Sequence, residues 1–254
     1  MKILYAEDQQ SVIELVKLLL SEIGISDVVY AKNGQEALEL YKNDTFDLVV
    51  TDMLMPVMNG FELIEEIKKI DSKQIFMMVT GMDDKEDLIK AIELRVNFFL
   101  EKPIKPEKLE KVMKEAKDLI DSRKEARLSN LLLTQYKHLI DSAAIISKAD
   151  KKGIITYINE QFCKISKYDT DELIGKPHNI TRDPDMPRSI FKDLWETIGS
   201  KKTWKGIITN RAKDGSIYIV DTFIMPLLDE NDEIIEYISI RHDITELEFY
   251  KYDF

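Results

Sequence analysis

Over residues 1–122, short β-type runs alternate with stretches of helical periodicity, and that alternation leaves few folds open. The strand-like runs are 2–5, 27–31, 46–51, 74–80 and 97–101. Between the first two, Val12, Leu15, Val16, Leu19 and Ile23 recur at spacings of three and four, as on the buried face of a helix. Parallel strands need helical crossovers and are covered on both faces. Five βα units therefore predict an α/β doubly wound, flavodoxin-like domain with a five-stranded parallel sheet. Sites in such sheets lie beyond the carboxyl ends of the strands.

The pattern then changes twice. From about 105 to 133, Leu109, Val112, Ala116, Leu119, Arg123, Ala126, Asn130 and Leu133 follow alternating steps of three and four, a heptad seam in one long helix. Such a seam predicts a homodimer, with Arg123 and Asn130 as polar groups fixing register; the alternative is a helix packing on its own domain. From about 136, strand signals return at 144–149, 154–158, 203–211, 216–228 and 234–243, with helical stretches at 160–166 and 188–199. Two strands, helices, then three strands predict an α+β domain with an antiparallel five-stranded sheet. The expected division is 1–122, a helical linker 123–135 continuous with the preceding helix, a second domain 136–248 and a tail 249–254.

Charge and composition narrow the function. With 36 basic against 47 acidic residues the formal net charge is -11, and no basic stripe offers phosphate contacts, so no nucleic-acid partner is expected. No apolar run approaches the roughly 20 residues that span a bilayer, so no membrane partner is expected either. The lone Cys163 has no internal disulfide partner, and the first apolar strand begins at Lys2, leaving no room for a leader peptide. A cytoplasmic protein is the expectation.

The strand ends of the first domain bring chemistry to one rim: Glu7 and Asp8 after the first strand, Asp52 after the third, Thr80 after the fourth and Lys102 after the fifth. Clustered carboxylates repel unless a cation intervenes, and hard oxygen donors suit Mg2+. Glu7, Asp8, Asp52 and the backbone carbonyl of Met53 form the expected metal set. A carboxylate so neutralised can accept a phosphoryl group while an ammonium holds another phosphoryl oxygen. Asp52 is the expected phosphoacceptor, with Lys102 and Thr80 beside it. A haloacid-dehalogenase-type phosphatase also uses a strand-end aspartate, but needs a second one two residues on. Here that residue is Leu54, so the phosphoryl group should be stored. Leu54 and Met82 flank the expected path of attacking water, and neither can orient it; slow self-dephosphorylation is expected.

Ala6-Glu7-Asp8, Asp52-Met53-Leu54-Met55-Pro56-Val57-Met58-Asn59-Gly60, Thr80-Gly81 and Phe99-Leu100-Glu101-Lys102-Pro103 resemble the response-regulator receiver family. The resemblance implies a histidine kinase or phosphotransfer protein as donor, a cis peptide before Pro103, and a switch in which Thr80 and Phe99 reshape the face around the fourth helix, fifth strand and fifth helix.

The stretch from about 136 to 248 resembles a PAS domain, with Arg241-His242-Asp243-Ile244-Thr245-Glu246 as its closing motif. Tyr157-Ile158-Asn159, Arg182-Asp183-Pro184-Asp185-Met186-Pro187, Phe191-Lys192-Asp193-Leu194-Trp195, Trp204-Lys205-Gly206 and Asn210-Arg211-Ala212-Lys213-Asp214-Gly215 are similar to PAS domains of the bacterial aerotaxis-receptor type, which bind FAD. Asn159, Arg182, Asp185 and Trp195 are the flavin-binding candidates this implies. Asp183 stands where those relatives carry a histidine, and a carboxylate there is expected to neutralise Arg182 or repel a pyrophosphate. His178 is the candidate axial ligand of a haem, the second ligand considered, and Cys163 reads as core. An empty, purely dimerising PAS module is the further alternative. The whole reads as a two-component signalling protein without a visible catalytic output domain. The alternative is the sensory front of a larger histidine kinase or diguanylate cyclase.

Overall fold

The computed structural model describes residues 1–81 and 85–250; Met82 lies outside the described residues. The chain divides into two compact units, Met1–Ser129 and Asn130–Phe254.

In the first unit, β1 (Ile3–Ala6), β2 (Val28–Ala31), β3 (Leu48–Asp52), β4 (Phe76–Thr80) and β5 (Phe98–Glu101) form one parallel sheet in the order β2-β1-β3-β4-β5. Helices α1 (Gln10–Glu22), α2 (Gly34–Asn43), α3 (Gly60–Ile70), α4 (Lys85–Glu93) and α5 (Pro106–Ala143) make the crossovers and the exit. Side chains alternate across a strand, and the core follows that period. Ile3, Tyr5, Leu48, Val50, Met77 and Val79 pack with Val16 and Leu20 of α1 and Leu109, Met113, Ala116 and Ile120 of α5. Leu4, Ala6, Val49, Phe76 and Met78 pack with Ala37, Leu38 and Tyr41 of α2 and Phe61, Ile64 and Ile67 of α3. Side-chain caps fix two of the helix starts: Asn33 caps α2 by accepting from the Glu36 N–H, and Asn59 and Glu62 form a reciprocal capping box on α3.

Helix α5 corrects the heptad expectation. Leu109 and Ala116 are buried and Val112 and Leu119 half-buried in the receiver-like core, so the first half of the supposed seam packs on its own unit. Arg123 donates to the Lys73 carbonyl at 3.0 Å and Lys124 pairs with Asp47 at 2.7 Å, so the polar break at Arg123 serves the same unit. Beyond Ile120 the helix leaves Leu128, Leu131, Leu133, Tyr136, Leu139 and Ile140 exposed.

In the second unit, β6 (Ile145–Ala149), β7 (Ile155–Ile158), β8 (Trp204–Arg211), β9 (Ile217–Leu228) and β10 (Ile234–Asp243) form an antiparallel sheet in the order β7-β6-β10-β9-β8. Between β7 and β8 lie α6 (Glu160–Ser166), α7 (Thr170–Leu173), a 3-10 turn (His178–Thr181) and α8 (Arg188–Gly199); α9 (Thr245–Tyr250) follows β10. The short α7 and the 3-10 turn carry too few residues to show a period, and the sequence did not mark them. Phe162, Leu173, Leu194, Ile198 and Val220 build the core between sheet and helices.

Candidate functional site

The carboxyl ends of β1, β3 and β5 bring Glu7, Asp8, Asp52 and Lys102 to one rim. Carboxylate oxygens of Glu7, Asp8 and Asp52 lie within 4.8 Å of one another. Glu7 and Asp52 are buried and Asp8 is exposed. The Lys102 ammonium donates to Asp52 Oδ2 at 2.7 Å and to Glu7 Oε2 at 3.1 Å. Burial works against its charge, but the two carboxylates outweigh burial and raise its pKa. For Glu7, burial and the neighbouring Asp52 charge push the carboxyl above its ordinary range, against the opposing pull of Lys102. One ammonium thus pairs with two of three acids and leaves the exposed Asp8 outside the pair, a donor set that fits a hard divalent cation.

The backbone around Asp52 is held by contact. The Gly60 N–H donates to the Met53 carbonyl at 3.0 Å, leaving that oxygen a second lone pair for a ligand. A Cβ at Gly60 would stand 2.3 Å from the Asp52 carbonyl oxygen, so the chain can turn here only with glycine. Thr80 is buried at the end of β4, its Oγ1 3.6 Å from the Met53 sulfur. Phe99 is half-buried against the helix-α2 and α3 side of the sheet. The Lys102–Pro103 peptide is cis. Leu54 is 71% exposed. Sequence reasoning passed over Tyr5, whose buried hydroxyl has no hydrogen-bond partner and whose pKa is raised by burial and by the Glu7 and Asp52 charges. A tyrosine inside an apolar strand carries no signal that separates it from core.

In the second unit a cavity of about 280 Å³ opens between the sheet and α8. Arg182 and Trp195 line it; Asn159 and Asp185 do not. The buried Asn159 is spent on the backbone: its side chain accepts from the Ile146 and Phe162 N–H groups and donates to the carbonyls of Asp141 and Ala144. Asp185 is exposed. Asp183 does not neutralise Arg182. It is buried, accepts from Arg211 at 2.9 Å and from the Asp185 N–H at 2.8 Å, while the Arg182 guanidinium lies over the Phe191 ring at 3.7 Å. Trp195 meets Tyr237 edge-to-face at 5.7 Å. His178 does not offer an axial donor: its Nε2 accepts from Arg241, at 3.0 Å, and lies 2.8 Å from the Ser147 hydroxyl. Burial first, and Arg241 second, hold its pKa down at about 3, so the ring is neutral. Cys163 packs half-buried against this core, its sulfur 3.5 Å from the Thr170 hydroxyl.

Residues 3–114 match the response regulator receiver domain and residues 141–246 the PAS domain. The chain is 36% identical over 121 residues to a chemotaxis protein CheY homolog of Campylobacter jejuni and covers 92% of that protein. The chain belongs to the response-regulator receiver family. It is also 39% identical over 114 residues to the aerotaxis receptor of Escherichia coli, spanning 45% of this chain and 22% of the receptor. Among solved structures, chemotaxis protein CheY4 of Vibrio cholerae aligns with a TM-score of 0.43 at 28% identity, over 45% of this chain and 97% of that one. A receiver followed by a PAS domain is a two-component signalling architecture, and neither module is a catalytic output domain. Among the described residues, no helix is long and apolar enough to cross a membrane.

Proposed function

We propose that this response regulator stores a phosphoryl group on Asp52, taken from the phosphohistidine of a kinase or phosphotransfer protein, and couples that state to its PAS domain. The observation that carries the reading is the rim itself: three acids with oxygens within 4.8 Å of one another, one of them Asp52, whose carboxylate is held by Lys102 at 2.7 Å. Mg2+ held by Glu7, Asp8, Asp52 and the Met53 carbonyl would offset the repulsion between an incoming phosphoryl group and the attacking carboxylate. Asp52 Oδ forms the O–P bond as the P–N bond to the donor imidazole breaks; the leaving nitrogen takes the P–N electron pair, and the ring departs as neutral imidazole with the proton on its other nitrogen. Lys102 passes from its carboxylates to a phosphoryl oxygen, and the Thr80 hydroxyl donates to another. Inward rotation of Phe99 then reshapes the face around α4, β5 and α5. The exposed Leu54 has no polar atom to orient water, which favours a long-lived acyl phosphate.

The apolar residues of α5 beyond Ile120 are the proposed contact with a second copy of the chain, completing a homodimer. FAD is the proposed PAS ligand, supported by Arg182 and Trp195 on the cavity wall and by the flavin-type sequence likeness; its ring system would occupy the cavity, and its pyrophosphate would find Arg182. Asn159 then shapes the pocket from behind, and Asp185 stands outside it. Incubation with phosphoramidate, a small P–N donor, followed by decay after donor removal, tests the receiver reading. One added phosphoryl group decaying over many minutes is expected; loss within seconds contradicts storage.

A further inference from the structure

The wall of the PAS cavity carries a cation that no carboxylate among the described residues neutralises. Arg241 on β10 is 5% exposed. Its guanidinium donates to the Ser147 hydroxyl at 3.0 Å and to His178 Nε2 at 3.0 Å, and lies 5.4 Å from the centre of the Phe162 ring. Among the described residues no carboxylate pairs with it, and neither a hydroxyl nor a neutral imidazole supplies negative charge. Burial pulls its pKa down to about 10, with only the Tyr218 hydroxyl acting the other way. A buried charge is costly unless paired. The same unit shows the usual solution nearby, where buried Asp183 meets Arg211.

A second observation points into the same space. Ser239, two residues before Arg241 on β10 and so on the same sheet face, is also 5% exposed, and its hydroxyl has no hydrogen-bond partner among the described residues. Ser239 and Arg241 both line the cavity, with Ile224 beside Ser239 on the neighbouring strand and Phe191 and Trp195 of α8 also on the wall. Two buried donors therefore face a space with aromatic and aliphatic walls. At about 280 Å³ it sits at the lower edge of the roughly 300–1,000 Å³ usual for ligand pockets, room for one ring system and not for a dinucleotide.

We propose that Arg241 and Ser239 form a recognition site for the acceptor edge of a planar heteroaromatic ligand, binding carbonyl or anionic oxygens while the ring lies between the sheet and Trp195. His178 and Ser147, also on the cavity wall, are positioning residues that hold the guanidinium in place. The inference deepens the flavin reading and rests on it in part, because a flavin's pyrimidine edge carries two carbonyl oxygens. It requires no phosphate, and so separates the ring end of the site from Arg182 at the wall.

The test measures binding of FAD, riboflavin and lumazine to the full chain by fluorescence and thermal shift, with Arg241→Met, Arg241→Lys, Ser239→Ala and Arg182→Met variants. Loss of a charge-assisted hydrogen bond predicts about tenfold or greater weakening of both FAD and riboflavin in Arg241→Met. Partial recovery is expected in Arg241→Lys and a smaller loss in Ser239→Ala. Arg182→Met should weaken FAD alone. The ligand-free melting temperature of Arg241→Met should equal or exceed that of the parent, since an uncompensated buried charge has been removed. Unchanged riboflavin binding in Arg241→Met and Ser239→Ala overturns the proposal. So does a melting temperature that falls in Arg241→Met with binding intact, which makes Arg241 a structural strut. If the parent binds neither flavin but binds lumazine through Arg241, the flavin reading fails and the acceptor-edge site stands. If it binds none of the three, both fail.

Discussion

The receiver rim and the PAS cavity treat buried charge in opposite ways. At the rim, Glu7 and Asp52 are buried acids in surplus, and Lys102 satisfies two of three carboxylates. In the cavity, Arg241 is buried with no acid beside it among the described residues. Each imbalance has the sign of what is missing: a surplus of hard anionic oxygen asks for a cation, and an unpaired guanidinium beside an unpartnered hydroxyl asks for an acceptor. The contrast also separates structural pairs, such as Asp183 with Arg211, from pairs left incomplete for a ligand.

The largest expected break in this comparison comes from removing the Lys102 ammonium from the rim. Lys102→Met leaves Glu7 and Asp52 facing each other. Breaking a buried pair costs about 3–5 kcal/mol, and the partial exposure of Lys102 reduces that to roughly 2 kcal/mol here. Urea unfolding should show the loss without magnesium and recover much of it with magnesium. A variant as stable as the parent without magnesium argues that the acids do not repel.

The two centres should also respond to pH with opposite sign. His178 is neutral when folded, with a pKa of about 3 against 6.5 ordinarily, so its contribution is complete above 6.5 and is lost as pH falls toward 3. The slope approaches one proton, about 1.4 kcal/mol per pH unit, within that window. His178→Asn should flatten the acid limb of the stability curve; an unchanged limb contradicts the neutral, Arg241-bound ring. Glu7 runs the other way. Its folded pKa is raised above 4.5, so the folded chain holds that proton more tightly and stability declines as pH rises above 4.5. Glu7→Gln should remove this decline and stabilise the metal-free protein toward neutrality relative to the parent's trend. The same variant should shrink the stabilisation by magnesium; a larger magnesium shift would remove Glu7 from the metal set.

Much of the rim was legible because it is set by strand ends. A parallel sheet puts the residue after each strand at one edge, so Glu7, Asp8, Asp52, Thr80 and Lys102 could be assembled from order alone. The clearance at Gly60 and the orphaned Tyr5 hydroxyl depend on contacts across the sheet and had no pattern to announce them. The long helix was legible as a helix, but the first half of its seam, Leu109 to Leu119, packs on its own core, since apolar steps of three and four look alike whether they face a partner or their own core. The PAS cavity was the least legible. Asn159 and Asp185 came from likeness of text, and the first is spent on backbone groups while the second points to solvent-exposed surface. Arg241, read only as part of a closing motif, proved to be the unpaired charge, because pairing is a property of what surrounds a side chain.

The central claim is that the acid cluster, once neutralised, makes Asp52 a phosphoryl acceptor. Intact-mass spectrometry after incubation with acetyl phosphate, with and without magnesium, tests it most directly. One phosphoryl group should appear only with magnesium and only on the parent chain, and Asp52→Asn should carry none. An equal mass gain on Asp52→Asn, or none on the parent with magnesium present, contradicts the account.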